Sequence, residues 1–266
     1  MDNRYESYVA LRIKHEGHIL HIAIDNPPLN AMTPDAHAEL GTIFSVADAD
    51  TGVRVIVLTG EGEKAFCAGG NLRSMIENFG DTPTWQLRMA EARAIIVGML
   101  ECGKPIISRI NGHAMGLGAS IALAGDITII VDDAKIGDSH VDVGLATGDG
   151  GALLWPALVG LPTARRYLMS GEPLRGAEAA SLGLVTESTA RDTLDERVDF
   201  WTTLFLAKSP IALQTTKRAL NLDIVVKAKA HMDEMLRLET QSWQSPNHIE
   251  AVSAILEKRS PKFEDE

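Results

Sequence analysis

The chain has 266 residues, 45% of them hydrophobic, and a formal net charge of −11. That length suits one large domain whose folding removes roughly three quarters of the unfolded surface from water. The acidic balance argues against a nucleic-acid partner, and the apolar runs stay short of the ~18 residues of a membrane span.

YVALRI (8–13) and HILHIAID (18–25) read as a hairpin, with KHEG as the turn. Pro34 suits the first turn of a helix capped by Thr33 and running to about Ala49. VRVIVLTG (53–60) is a β-branched apolar run ended by glycine, as a buried strand requires. A loop, EGEKAFCAGGN, follows, then a helical stretch from about Thr84 to Leu100, within a helix read over 71–100. PIISRI (105–110) and DITIIV (126–131) are further buried strands, separated by NGHAMGLG and the small-residue helix ASIALAG.

DSHVDVGLATGDGG (138–151) holds one histidine and three carboxylates among glycines, and reads as a loop. ALLWPALVG, TARRYLMSG and GAEAASLG then read as short helices, LVTES as a last strand, and 192–258 as almost wholly helical. The pattern gives an α/β fold of repeated β-β-α or β-α steps over 1–191, with a helical region over 192–266. Cys67 and Cys102 lack metal spacing and read as two reduced thiols of a cytoplasmic protein. The N-terminus shows no apolar signal segment.

Two strands lead into glycine turns followed by helices, at Phe66–Asn71 and at Asn111–Gly118. Such turns let backbone N–H groups approach a ligand closely, and side by side they would hold one oxyanion. Neither turn carries a dinucleotide or P-loop fingerprint.

These segments carry a resemblance. IDNPPLNAM, VIVLTGEGEKAFCAGGNL, KPIISRINGHAMGLGASIALAGDI, YLMSGEPLRGAEAASLGLV and EAVSAILEKRSPKF, in that order along nearly the whole chain, resemble the enoyl-CoA hydratase/isomerase (crotonase) superfamily. The resemblance implies a crotonase-type spiral of ββα units with a C-terminal helical trimerisation region, assembled as a homotrimer or a hexamer. It implies an acyl-CoA thioester as substrate, with no cofactor or metal beyond that coenzyme A. It implies that the thioester carbonyl is held by the N–H groups of Ala68 and Leu117, beside Gly116. The family's two catalytic glutamates fall on Ser120 and His140, and both are replaced. Serine is neither acid nor base near neutrality, so two-glutamate hydration is not expected here.

His140 titrates near neutrality, and Asp149 lies nine positions on across a glycine-rich turn. If the turn folds back, Asp149 orients one imidazole nitrogen and the other faces the substrate as general acid/base. HVDVGLATGDGGALLWPALVG also resembles the 6-oxocamphor (β-diketone) hydrolase branch, which implies hydrolytic C–C cleavage by that pair. Other readings remain beside these. Asp149 would serve as a helix N-cap, His113 as a structural residue, and Asn71 as a cap. Asp142 is a further site candidate. Lys64, Lys258, Arg259 and Lys262 are the basic groups available to CoA phosphates, and Leu72, Met75, Trp85, Leu87 and Met89 are candidates to line the acyl pocket. Three functions follow: an acyl-CoA enzyme working through an enolate, a β-diketone hydrolase, and a non-catalytic acyl-CoA binder.

Overall fold

The computed structural model describes residues 3–264. Its first hairpin pairs β1 (Leu11–Glu16) with β2 (Ile19–Ile24) antiparallel. The turn is tighter than KHEG predicts. The strand alternation runs through Glu16, and Gly17, at φ 59°, supplies the left-handed backbone of a two-residue turn. Helix α1 (Pro34–Ala49) begins as its sequence dictates, with the Thr33 hydroxyl accepting the Ala36 N–H and Pro34 in the first turn.

From there the chain repeats one step: a long strand, a short strand, a helix. β3 (Val55–Gly60) and β4 (Ala65–Cys67) lead to α2 (Leu72–Glu77) and α3 (Thr82–Glu101). β5 (Ile106–Ile110) and β6 (His113–Met115) lead to α4 (Leu117–Leu123). β7 (Ile127–Val131) and β8 (Lys135–Gly137) lead through a 3-10 turn at His140–Val143 to α5 (Gly151–Ser170). The long strands join β1 and β2 in a six-stranded sheet ordered β1-β2-β3-β5-β7-β10, with β10 (Glu187–Thr189) at one edge. The short strands form a second sheet, β4-β6-β8-β9, closed by β9 (Leu174–Arg175). All pairings are parallel except the two outermost, β1–β2 and β8–β9. Parallel strands covered on both faces are apolar throughout, and Val55–Leu58 of β3 are all buried. This is the ββα spiral that the sequence predicts.

Three expectations change in detail. The single helix over 71–100 is two helices, because Asn78–Asp81 breaks it with Gly80 at φ 85° and Asp81 caps a new start. The small sheet's strands were not predicted, since two or three residues are too few to show a period of two. The last strand sits at 187–189 rather than 184–188. α5 is interrupted at Gly160 (φ 74°, ψ 158°), which leaves the two short helices that the sequence suggests. Beyond α6 (Gly176–Ser181), the C-terminal helices are α7 (Leu194–Leu206), α8 (Pro210–Trp243) and α9 (Pro246–Glu257). Both cysteines are free and buried. Among the described residues no helix is long and apolar enough to cross a membrane.

Candidate active site

The two glycine turns lie against one another because β4 and β6 are paired, with Cys67 opposite Ala114. The approach is close enough to require glycine. A Cβ on Gly118 would stand 2.2 Å from the Cys67 carbonyl oxygen. One on Gly69, at φ 78°, would stand 2.7 Å from that of Met115. An inventory of N–H groups corrects the expected donor pair. Ala68 gives its N–H to the Leu29 carbonyl at 3.0 Å, and Gly69 gives its own to the Cys67 sulfur at 3.4 Å. The next N–H, that of Gly70, has no acceptor among the described residues, and Gly70 lines the cavity. Leu117 opens α4, so its N–H is one of those a helix leaves unpaired, and it lines the same cavity. The free pair is therefore Gly70 and Leu117. Ala68 instead ties the turn to the segment before α1.

The loop after β8 places a charged cluster beside these groups. The turn at His140–Val143 brings the imidazole back over Asp138, whose Oδ1 accepts both the His140 backbone N–H (3.1 Å) and Nδ1 (2.6 Å). Thr147 donates its hydroxyl to the other Asp138 oxygen. The loop then folds back as expected and sets Asp149 Oδ2 at 3.2 Å from His140 Nε2. Ser120 on α4 faces the second Asp149 oxygen at 3.3 Å. Ser120, His140 and Asp149 thus converge. The expected free imidazole nitrogen is absent, however: Asp138 is the group that orients the ring, and Asp149 stands across the other nitrogen. Asp149 does not cap α5, which has no side-chain cap.

All four side chains are buried. Burial alone would push the His140 imidazole down. Asp138 and Asp149 on its two sides outweigh this, by charge and by hydrogen bonding, and hold it well above its ordinary value. The imidazolium in turn outweighs burial at Asp138 and keeps that carboxyl below its ordinary value. A second buried carboxyl completes the cluster. Glu239 of α8 lines the cavity, and its Oε2 has no hydrogen-bond partner. Burial, then the negative charge of Asp149, raises it well above a normal carboxyl, so it holds its proton more tightly than an ordinary glutamate. The cluster thus sets Asp138 and Asp149 on the two sides of the imidazole, with a proton-retaining acid beside them. His140, Asp138 and Asp149 bring ligand atoms within 4.8 Å of one another, a spacing compatible with a metal ion. The 2.6 Å contact between Nδ1 and Asp138 instead has a proton between its atoms, so the arrangement reads as a hydrogen-bonded relay.

The cavity that these groups face has a volume of about 180 Å³. One wall is the pair Trp85 and Trp243, stacked at 4.8 Å and 6° between planes, with Trp85 Nε1 bonded to Thr240 at 2.9 Å. Met75 and Met89 line it as predicted; Leu72 and Leu87 do not, and Leu87 is exposed. Asn71 caps α2 through the N–H groups of Arg73 and Ser74, and His113 accepts the Lys135 N–H in a structural bond.

The remaining candidates lie outside the cavity. Lys64 is exposed, and its carbonyl accepts the His113 N–H. Lys262 is exposed and donates its backbone N–H to Glu250, which also holds Arg259. Asp142 is exposed with its carboxylate against Gly171. Gly116, at φ 54°, lies under the His140 ring, where an added Cβ would stand 3.5 Å from the imidazole. It supports the ring rather than lining the cavity. Sequence reasoning missed Glu239. Its signal was there: Met232, Leu236, Glu239 and Trp243 form the buried stripe of α8 at helical spacing, and a carboxylate in such a stripe demands a reason.

The comparisons with known proteins agree with this architecture. Residues 14–266 match the family described as enoyl-CoA hydratase/isomerase. A probable enoyl-CoA hydratase of Bacillus subtilis is 32% identical over 252 residues, 92% of this chain and 95% of the relative. An (E)-benzylidenesuccinyl-CoA hydratase of Thauera aromatica is 30% identical, over 96% of this chain and 99% of the relative. A solved enoyl-CoA hydratase/isomerase from Mycobacterium paratuberculosis superimposes with a TM-score of 0.88 at 30% identity, covering 94% of this chain and 99% of that one. The fold is that of a crotonase-fold enzyme. The chain belongs to the enoyl-CoA hydratase/isomerase family.

Proposed function

We propose that this enzyme acts on an acyl-CoA thioester through an enolate held by the N–H groups of Gly70 and Leu117. The observation that carries the reading is the pair of unspent N–H groups facing one cavity with the Asp138–His140–Asp149 relay. Charge develops on the thioester oxygen as the enolate forms, and each fixed donor is worth about 3–4 kcal/mol at that point. Asp149, 3.2 Å from the imidazole Nε2, takes the proton. Asp138 fixes the ring. Glu239, whose buried carboxyl holds its proton more tightly than usual and whose Oε2 has no partner, returns a proton to the product. Serine at 120 and histidine at 140 stand where the family resemblance puts two glutamates, which argues against water activation from those two positions.

A second reading is hydrolytic C–C cleavage of a β-dicarbonyl. It is favoured by the acid–base pair of Asp149 and Glu239, which suits activating a water and protonating the leaving enolate. It is favoured too by the absence of any lysine among the residues lining the cavity. Acetoacetyl-CoA separates the two, being both a thioester and a β-dicarbonyl. Calorimetric binding of this compound, followed by mass spectrometry of the mixture, gives intact ligand if the enzyme only enolises thioesters. It gives acetyl-CoA and acetate if it cleaves the C–C bond. No binding contradicts the thioester reading.

A further inference from the structure

The cavity has a second polar station that the chemistry above does not use. His37, on the first turns of α1, and Arg88, on α3, both line it. His37 is half-buried, and its Nδ1 is shut off from solvent with no hydrogen-bond partner among the described residues. A buried polar atom without a partner costs free energy unless something that visits the cavity supplies the bond. Arg88 is the one lysine or arginine among the lining residues. Its recorded bonds, to the Pro34 carbonyl at 2.9 Å and to Glu91, both use Nη1. That leaves the Nε/Nη2 edge of the guanidinium without a partner among the described residues, and this edge matches a carboxylate in two-point contact. The Pro34 bond also fixes the guanidinium between α1 and α3.

The station stands apart from the relay. The charge that reaches His37 is that of Arg88, which adds to burial in pushing the imidazole down to about 4. The charges that reach His140 and Glu239 are those of the relay itself, and Arg88 is not among them. His37 is therefore a neutral hydrogen-bonding group near pH 7, and Arg88 keeps enough of its charge to be felt beside it, although Glu91 is its ion-pair partner.

We propose that His37 and Arg88 form a recognition subsite for a carboxylate on the far part of the acyl group, so that the preferred substrate is the thioester of a dicarboxylic acid. Arg88 takes the carboxylate through its free edge, and His37 donates or accepts the bond that its buried nitrogen lacks. The stacked tryptophans and the methionines hold the apolar carbons between the two polar stations. This assignment rests on the acyl-CoA reading and narrows it to one class of acyl chain.

The test compares two saturated six-carbon thioesters by calorimetry: adipoyl-CoA, which ends in a carboxylate, and hexanoyl-CoA, which ends in a methyl group. The wild-type enzyme is expected to bind adipoyl-CoA at least tenfold more tightly. Arg88→Met is expected to abolish that preference, Arg88→Lys to restore part of it, and His37→Phe to weaken it. Equal binding of the two thioesters by the wild type, or an undiminished preference in Arg88→Met, overturns the subsite and leaves the acyl-CoA reading standing. Failure of both thioesters to bind overturns the acyl-CoA reading, and the subsite with it.

Discussion

His140 decides what the cavity can do, because its two nitrogens are held by two different carboxylates. Asp138 accepts a hydrogen bond at 2.6 Å and Asp149 stands 3.2 Å from Nε2 as an ion-pair partner, so the ring is oriented from one side and faces a proton acceptor on the other. His140→Ala is expected to lower kcat by about 100-fold or more, the range for a positioned acid–base group. Asp138→Asn keeps the shape but loses the charge that holds the imidazolium, and its effect belongs in kcat rather than KM. Steady-state kinetics with the substrate found by the binding experiment checks both.

Glu239 gives a prediction on stability. Its folded value is raised above the ordinary carboxyl value of about 4.3, and that of His140 is raised above about 6.5. In each case the native state binds a proton that the unfolded state releases as pH rises. Stability therefore falls with rising pH, from about pH 4.3 for Glu239 and from about pH 6.5 for His140, until each native value is passed. Asp138 acts in the opposite sense: its lowered value adds stability above about pH 3.9 that is lost on acidification. Glu239→Gln removes the first contribution. Urea unfolding at pH 5 and pH 8 is expected to show a smaller loss of stability for this variant than for the wild type, and an equal loss would contradict the raised carboxyl.

At the scale of elements, the site is made by two strand–turn–helix units pressed together. Gly118→Ala places a methyl group 2.2 Å from the Cys67 oxygen, in a contact that cannot relax without parting the turns. The expected cost is about 1–3 kcal/mol, as for other overpacked positions, together with loss of activity as the Gly70 and Leu117 N–H groups move apart. Thermal unfolding and turnover measured together check this. The strand–glycine–helix pattern of both turns was legible in the sequence, because apolar runs and glycines have local signatures. Which N–H is free was not. Ala68 spends its hydrogen on Leu29, from a segment 39 residues earlier, and no local pattern encodes that bond. The loop at 138–151 was legible as the reactive stretch, and His140 and Asp149 do meet across it. The role of Asp138 was not legible, because an aspartate two residues from a histidine is bonded to it only when a 3-10 turn folds the chain back. Glu239 escaped because it lies 90 residues beyond Asp149 and becomes its neighbour only when α8 crosses the core.

At the scale of the whole molecule, the helices of the C-terminal region leave large apolar side chains in water. Phe200, Ile211, Leu220, Leu222 and Val226 are all exposed in the single chain, and Leu220 retains 77% of its surface. Such residues suit the trimer or hexamer that the family resemblance implies. Light scattering is expected to give a mass of three or six times 28.7 kDa, and Leu220→Glu to shift it toward the monomer. A monomeric wild type at micromolar concentration would contradict that assembly. The second α/β layer and the C-terminal helices together close the cavity, since Trp243 and Glu239 reach it from α8 while Gly70 and Leu117 reach it from the spiral.

The account stands most directly on enolate formation under the paired N–H groups. Butyryl-CoA, which has exchangeable hydrogens at Cα and no group to eliminate or cleave, isolates that step. Incubated with the enzyme in D2O and read by mass spectrometry, it is predicted to gain deuterium at Cα with the wild type and to lose that gain in His140→Ala. Binding of butyryl-CoA without exchange, or equal exchange by the two proteins, would contradict the central claim.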